Sequence, residues 1–122
     1  MKSLITTILL LLLVVTLTVL NFHYVNNTVC HLQTLLDTLP SLDDPDCVAH
    51  AEKTEAFWKE KESLIGLTVS YPFVDRISEQ TALLVSTARA KDLYGFESAR
   101  ALLYDAVEDM GRAERFSPKN LF

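Results

Sequence analysis

Several ingredients are scarce in this chain, and each scarcity closes off a class of protein. Glycine and proline number three and four in 122 residues, while alanine, leucine, glutamate and lysine are plentiful. That balance points away from a turn-rich sheet protein and toward helices. Only two cysteines occur, Cys30 and Cys47, so at most one disulfide can form. No Ser-His-Asp set, G-x-S-x-G, H-E-x-x-H or glycine-rich phosphate loop is present, and no enzyme activity or cofactor is expected. Positive charge is also short, with a net charge of −5. Setting Lys2 aside leaves ten basic and sixteen acidic residues, a net −6, which argues against nucleic acid or anionic lipid as a partner. Neither a low-complexity tract nor an internal repeat is visible.

What the chain does have is Leu4 to Leu20, seventeen residues drawn only from Leu, Ile, Val and Thr, with Phe22 extending the run past Asn21. At about 1.5 Å per residue, a helix of this length covers roughly 26–28 Å, enough for a thin hydrocarbon layer. The threonines Thr6, Thr7, Thr16 and Thr18 do not disqualify it, because a helical threonine hydroxyl can bond a carbonyl one turn back. A cleaved signal peptide is the competing reading. It would have a shorter apolar region and a small-residue cleavage site, whereas the exit here reads Val19-Leu20-Asn21-Phe22-His23-Tyr24. The expectation is therefore an uncleaved signal anchor over residues 1–22. Lys2 precedes it and the next basic residue is Lys53, so the N-terminus is expected in the cytoplasm and residues 23–122 outside. Membrane lipid is the expected partner of residues 4–22.

Beyond the span, Val25, Val29, Leu32, Leu36 and Leu39 follow a 4-3-4-3 spacing, an a/d seam that continues the membrane helix outward. This predicts a helix over 23–39 that ends at Pro40. In the next stretch Asp44 can cap a helix that Pro45 opens, and this second helix is expected over 45–71. Its stripe is Cys47, Ala51, Thr54, Trp58, Ile65 and Thr68, widened by Phe57 and Leu64. A third helix, 73–91, follows Pro72 and carries Phe73, Val74, Ile77, Leu84 and Ala88. Asp92 to Gly95 reads as a connection, and a fourth helix, 95–115, carries Ala99, Leu102, Leu103, Ala106, Met110 and Ala113 before Ser117-Pro118 stops it. Short connections make the neighbours antiparallel. The fold class expected is all-α: one N-terminal transmembrane helix continuing into a small antiparallel extracytoplasmic helical bundle.

Taken together, Lys2, the apolar span, Trp58, the Val74-Asp75 pair and the ending Asn120-Leu121-Phe122 resemble a family. It is a bacterial family of small single-span helical proteins, domain-of-unknown-function family forty-three sixty-three. The resemblance covers essentially the whole chain and implies architecture and membrane location, with no activity attached. The chain departs from the family pattern where Tyr71-Pro72-Phe73 stands in place of a histidine before the aliphatic-Asp pair.

Four groups of residues invite a functional reading. Cys30-His31 and Cys47-x-x-His50 supply the ligand types of a zinc site. Neighbours on a helix point about 100° apart, however, and the spacing fits no finger, so no metal site is expected. The cysteines could instead pair. Cys30 lies nine residues before Leu39, about 13 Å along the first helix. Cys47 lies three residues past Asp44, about 4.5 Å along the second. The offset of roughly 9 Å exceeds the 7 Å or so a disulfide spans, which favours two free thiols over a Cys30–Cys47 bond. Trp58 reads as the largest core residue in preference to a binding anchor. Leu93, Tyr94 and Phe96 around Gly95, with Leu121 and Phe122 at the end, could pack under the loops of the bundle or form a docking patch. The function expected is a membrane-tethered interaction or scaffold module that docks onto another membrane or surface protein. The alternative is a sensor or small-ligand-binding module acting through a membrane partner.

Overall fold

A computed structural model describes the backbone of residues 1–121 and the side chains of residues 1–113. Its elements are four helices: α1 (Lys2–Asp37), α2 (Cys47–Ile65), α3 (Tyr71–Ala90) and α4 (Leu93–Leu121). No strand occurs among the described residues.

The first helix is a single rod in which two environments follow one another. Every residue from Met1 to Leu20 is exposed, and burial begins only as the chain passes Asn21. One 18-residue window of α1 has a mean hydropathy of 2.7 with none of it buried, so the helix is long and apolar enough to cross a membrane. Its threonines are satisfied internally. The hydroxyls of Thr6, Thr7, Thr16 and Thr18 donate to the carbonyls of Lys2, Ser3, Leu12 and Val14 at 2.8–2.9 Å. From there Val25, Val29, Leu32, Leu36 and Leu39 are all buried, as the heptad spacing requires.

The rest of the molecule closes around that seam. α1 packs against α2 and α4, and α3 packs against the same two helices from the other side. Contacts run in opposite order along each adjoining pair. Against α1, Phe57 meets His31 and Thr68 meets Asn21. Between α2 and α3, Glu52 pairs with Arg89 and Glu62 with Ser78. Between α3 and α4, Arg76 pairs with Asp109, and between α4 and α1, Arg100 meets Leu36 while Gly111 faces Val29. A Cβ on Gly111 would sit 3.2 Å from a Val29 methyl, so glycine sets the approach of α1 and α4 here.

The core is centred on Trp58, which is 0% exposed. Its indole N–H donates to the Ser78 hydroxyl at 2.8 Å, and Ser78 donates in turn to a Glu62 carboxylate oxygen at 2.8 Å. A buried indole N–H without a partner would cost about 1–3 kcal/mol, and this relay removes that penalty while tying α2 to α3. Three buried threonines, Thr28, Thr54 and Thr81, are likewise bonded to carbonyls of their own helices.

Several boundaries differ from those the sequence suggests, each for a local reason. α2 begins two residues later than expected: Asp44 does serve the helix start, but its carboxylate takes the Asp46 N–H at 2.8 Å, leaving Pro45 in the preceding turn. α2 also stops at Ile65 instead of Tyr71. Gly66 follows, and the N–H groups of Thr68 and Val69 fold back onto the Ile65 carbonyl, which tucks Val69 into the core. Thr68 and Leu64 consequently leave the stripe and are exposed. On α4, Leu102 is also outside the core, while Val107 joins it. α4 runs on past Ser117-Pro118 to Leu121 instead of stopping there.

The α3–α4 junction is the tightest in the molecule. Lys91 adopts left-handed geometry, φ 58° and ψ 32°. The N–H groups of Lys91 and Asp92 return to the carbonyls of Ala88 and Thr87, a Schellman closure of α3. Asp92 then opens α4 by accepting the Gly95 N–H at 3.1 Å. No side chain fits at Gly95, because a Cβ would collide with the Asp92 carboxylate and with the Thr87 methyl at 2.9 Å.

Candidate functional site

Because Asp92 caps α4, the helix starts at Leu93, two residues ahead of the expected start, and this redistributes the candidate docking residues. Phe96 joins the helical stripe with Ala99, Leu103, Ala106 and Met110 and is 0% exposed. It is therefore a core residue and no part of a surface patch. Leu93 and Tyr94 lie in the first turn, outside that buried stripe, and are 62% and 85% exposed. Together they make an apolar, aromatic point at the end of the bundle remote from residues 1–20. Leu121 and Phe122 lie outside the residues whose side chains are described.

The same end of the bundle carries a concave feature. A cleft of about 320 Å³ opens between the end of α1 and α4, bordered by Leu36, Asp37, Glu97, Arg100, Tyr104 and Asp105. Arg100 crosses it to donate to the Leu36 carbonyl at 3.1 Å. α1 has no basic residue in its last turn, so Arg100 supplies from α4 the cation that the negative end of α1 favours. Around that cation stand the three carboxylates of Asp37, Glu97 and Asp105. This arrangement suits a cationic or mixed-charge group better than an anion. No nucleophile or general base with a partner faces it.

The cysteine and histidine candidates are dispersed. Cys30 is exposed on α1, whereas Cys47 is buried at the start of α2, and the two are not bonded. Burial pushes the Cys47 thiol above its ordinary value of 9.0; Lys91 nearby opposes this and Asp44 reinforces it. His31 lies with its ring centroid 4.1 Å from that of Phe57. The Lys61 ammonium sits 5.7 Å from the Tyr24 ring centroid and 5.6 Å from that of Phe57, so this flank of α1 and α2 is a cation–aromatic contact. Among the described residues no three His, Cys, Asp or Glu side chains converge in a way that could hold a metal ion.

Leu93 and Tyr94, candidates from the sequence, are exposed, while Arg100 and the cleft were not singled out there. An arginine amid Glu97, Tyr104 and Asp105 on an amphipathic helix looks like a solvated face. Its partner carbonyl is 64 residues away in sequence. Comparison with protein-family models, with curated proteins and with solved structures gives no match to this chain, so the resemblance above rests on its motif residues.

Proposed function

We propose that the chain is a membrane-tethered interaction module without catalytic activity. Residues 4–22 of α1 cross the bilayer with the N-terminus cytoplasmic, and an antiparallel helical bundle stands outside to dock onto another membrane or surface protein. The observation that carries this reading is the division of α1. Its first twenty residues are apolar and bury nothing, while the remainder of the same helix is a wall of the bundle core. A soluble protein would expose those side chains to water at a cost of about 25 cal/mol per Å². The docking point on this reading is Leu93 and Tyr94, at the far end from the bilayer.

A photo-crosslinking residue at Tyr94 in native membranes tests it. One defined membrane protein should be captured, with capture lost in Leu93→Ser. Capture of nothing, or capture indifferent to Leu93→Ser, refutes the docking point. Protease added outside intact spheroplasts should digest the bundle, and full protection beside a digested control refutes the orientation.

A second reading, a sensor or small-ligand module acting through a membrane partner, is favoured by the cleft at Arg100. A small molecule retained through purification and displaced by Arg100→Ala would support that reading over the first.

A further inference from the structure

The two ends of the bundle differ in chemistry, and the difference tracks distance from the apolar part of α1. At the far end, the α1–α2 turn carries Asp43, Asp44 and Asp46, and the α3–α4 junction is Lys91-Asp92. At the near end, the chain from Ser63 to Val74 reads SLIGLTVSYPFV, twelve residues without one Asp, Glu, Lys, Arg or His. Within it, Leu64, Leu67 and Tyr71 are 56%, 77% and 74% exposed. These side chains are not spare core: Ile65 and Val69, between them in sequence, fill the core, and the turn aims the others outward.

The position of this turn is fixed relative to α1. The Thr68 hydroxyl and the Asn21 side chain are hydrogen-bonded at 2.8 Å. Lys2 to Asn21 spans about 30 Å at 1.5 Å per residue, the thickness of a bilayer's hydrocarbon core. Asn21 therefore falls at the headgroup boundary when residues 4–22 span, and Thr68 is held at that level beside it. Leu67, next to Thr68, is then the most exposed apolar side chain of the bundle at that level, with Leu64 on the preceding helical turn. Tyr71 is of the aromatic type that settles at membrane interfaces.

From this the geometry points to a second membrane contact: the α2–α3 turn, through Leu64, Leu67 and Tyr71, dips into the outer interface of the bilayer that α1 crosses. The occupant is the lipid interface itself. An uncharged turn does not depend on anionic headgroups, so a zwitterionic bilayer suffices. The contact gives the bundle two points of attachment and fixes which of its faces points away from the membrane. This inference rests on the proposed spanning of α1.

Nitroxide labels on the full chain in phosphatidylcholine vesicles test both statements separately. In a Cys30→Ser, Cys47→Ala background of unchanged helicity, labels are placed at Leu12→Cys, Leu67→Cys and Leu102→Cys. The expected result is a label at 12 relaxed by oxygen and shielded from an aqueous nickel chelate. The label at 67 should be several-fold less accessible to nickel than the label at 102. A Leu64→Cys label, at a site 56% exposed against 47% for Leu102, should repeat the result at 67. If 12 is shielded while 64 and 67 match 102, the turn does not touch lipid and the inference is overturned with the tether intact. If 12 itself is open to nickel, the tether reading falls, and the turn contact with it.

Discussion

Trp58 offers the sharpest check on the packing argument. The side chain is fully buried, and its N–H belongs to the relay through Ser78 to Glu62. A buried tryptophan removes roughly 150–250 Å² from water. At about 25 cal/mol per Å² that corresponds to roughly 4–6 kcal/mol, against about 3–5 kcal/mol for aromatic-to-alanine changes in cores. A domain of this size has about 5–15 kcal/mol in all. Trp58→Ala should therefore leave the bundle marginal, whereas Trp58→Phe, keeping most of the volume and losing the donor, should cost roughly 1–2 kcal/mol. The assay is urea unfolding of the full chain in detergent micelles, followed by far-ultraviolet circular dichroism. The span stays helical there, so the transition reports the bundle. With an m-value of about 1–3 kcal/mol per molar, Trp58→Ala should lower the midpoint by roughly 1–5 M, or abolish the transition. A midpoint unchanged in Trp58→Ala would refute the placement of Trp58 at the centre of the core.

The α3–α4 junction and the thiols give further tests. Lys91→Gly should raise stability by about 0.5–1 kcal/mol, because Lys91 holds a positive φ that glycine adopts without penalty. Gly95→Ala should lower stability by roughly 1–3 kcal/mol, the range for overpacking, since its Cβ has no room. The same unfolding curves measure both, and equal effects in sign would contradict the geometry. Cys30, exposed, should alkylate rapidly in the native protein, and Cys47 only on unfolding, with mass spectrometry counting the adducts. The raised pKa of Cys47 keeps its thiol protonated in the native state to higher pH than in the unfolded one. Stability should therefore decline as pH rises above about 9, and Cys47→Ala should flatten that decline.

How much of this was legible in the sequence depends on how far each feature reaches. Val25, Val29, Leu32 and Leu36 of the α1 seam were read correctly, because aliphatics at heptad spacing leave only one face to bury; Leu39 is buried too, but just past the end of α1 at Asp37. Core residues Cys47, Ala51, Thr54, Trp58 and Ile65 of α2 were equally plain, yet its end was not. Gly66 does not take a left-handed conformation, and α2 stops there because Val69 gains more from the core than from another helical turn. Phe96 stood open between the core and a docking patch since Gly95 looks like a loop residue, whereas it occupies the first turn of a helix that Asp92 caps. The left-handed residue is Lys91, which nothing in its identity advertises. Of the candidate site, exposure of Leu93 and Tyr94 could be read locally. The contact of Arg100 with Leu36 could not, since it depends on how two remote helices meet.

The apolar part of α1 also constrains where any specificity can lie. Helices associate inside a bilayer through close-packing small residues or through polar groups that need partners. From Leu4 to Leu20 the chain has no glycine or alanine, and no two of its threonines stand four apart. Each of those threonine hydroxyls is already bonded to a carbonyl of its own helix. What remains facing outward is Leu, Ile and Val, which lipid tails solvate as well as another helix would. A span of this kind has little with which to choose a partner within the membrane. On the proposed function, recognition then falls to the bundle, which is closed on the faces that pack its core. Among the described residues beyond the apolar part of α1, the exposed large apolar side chains are Leu64, Leu67 and Tyr71 at the α2–α3 turn, Leu83 and Leu102 on the helix flanks, and Leu93 with Tyr94 at the other end. On the proposed tethering, the α2–α3 turn lies at the level of the bilayer surface and Leu93 with Tyr94 faces away from it, where a docking partner would have access.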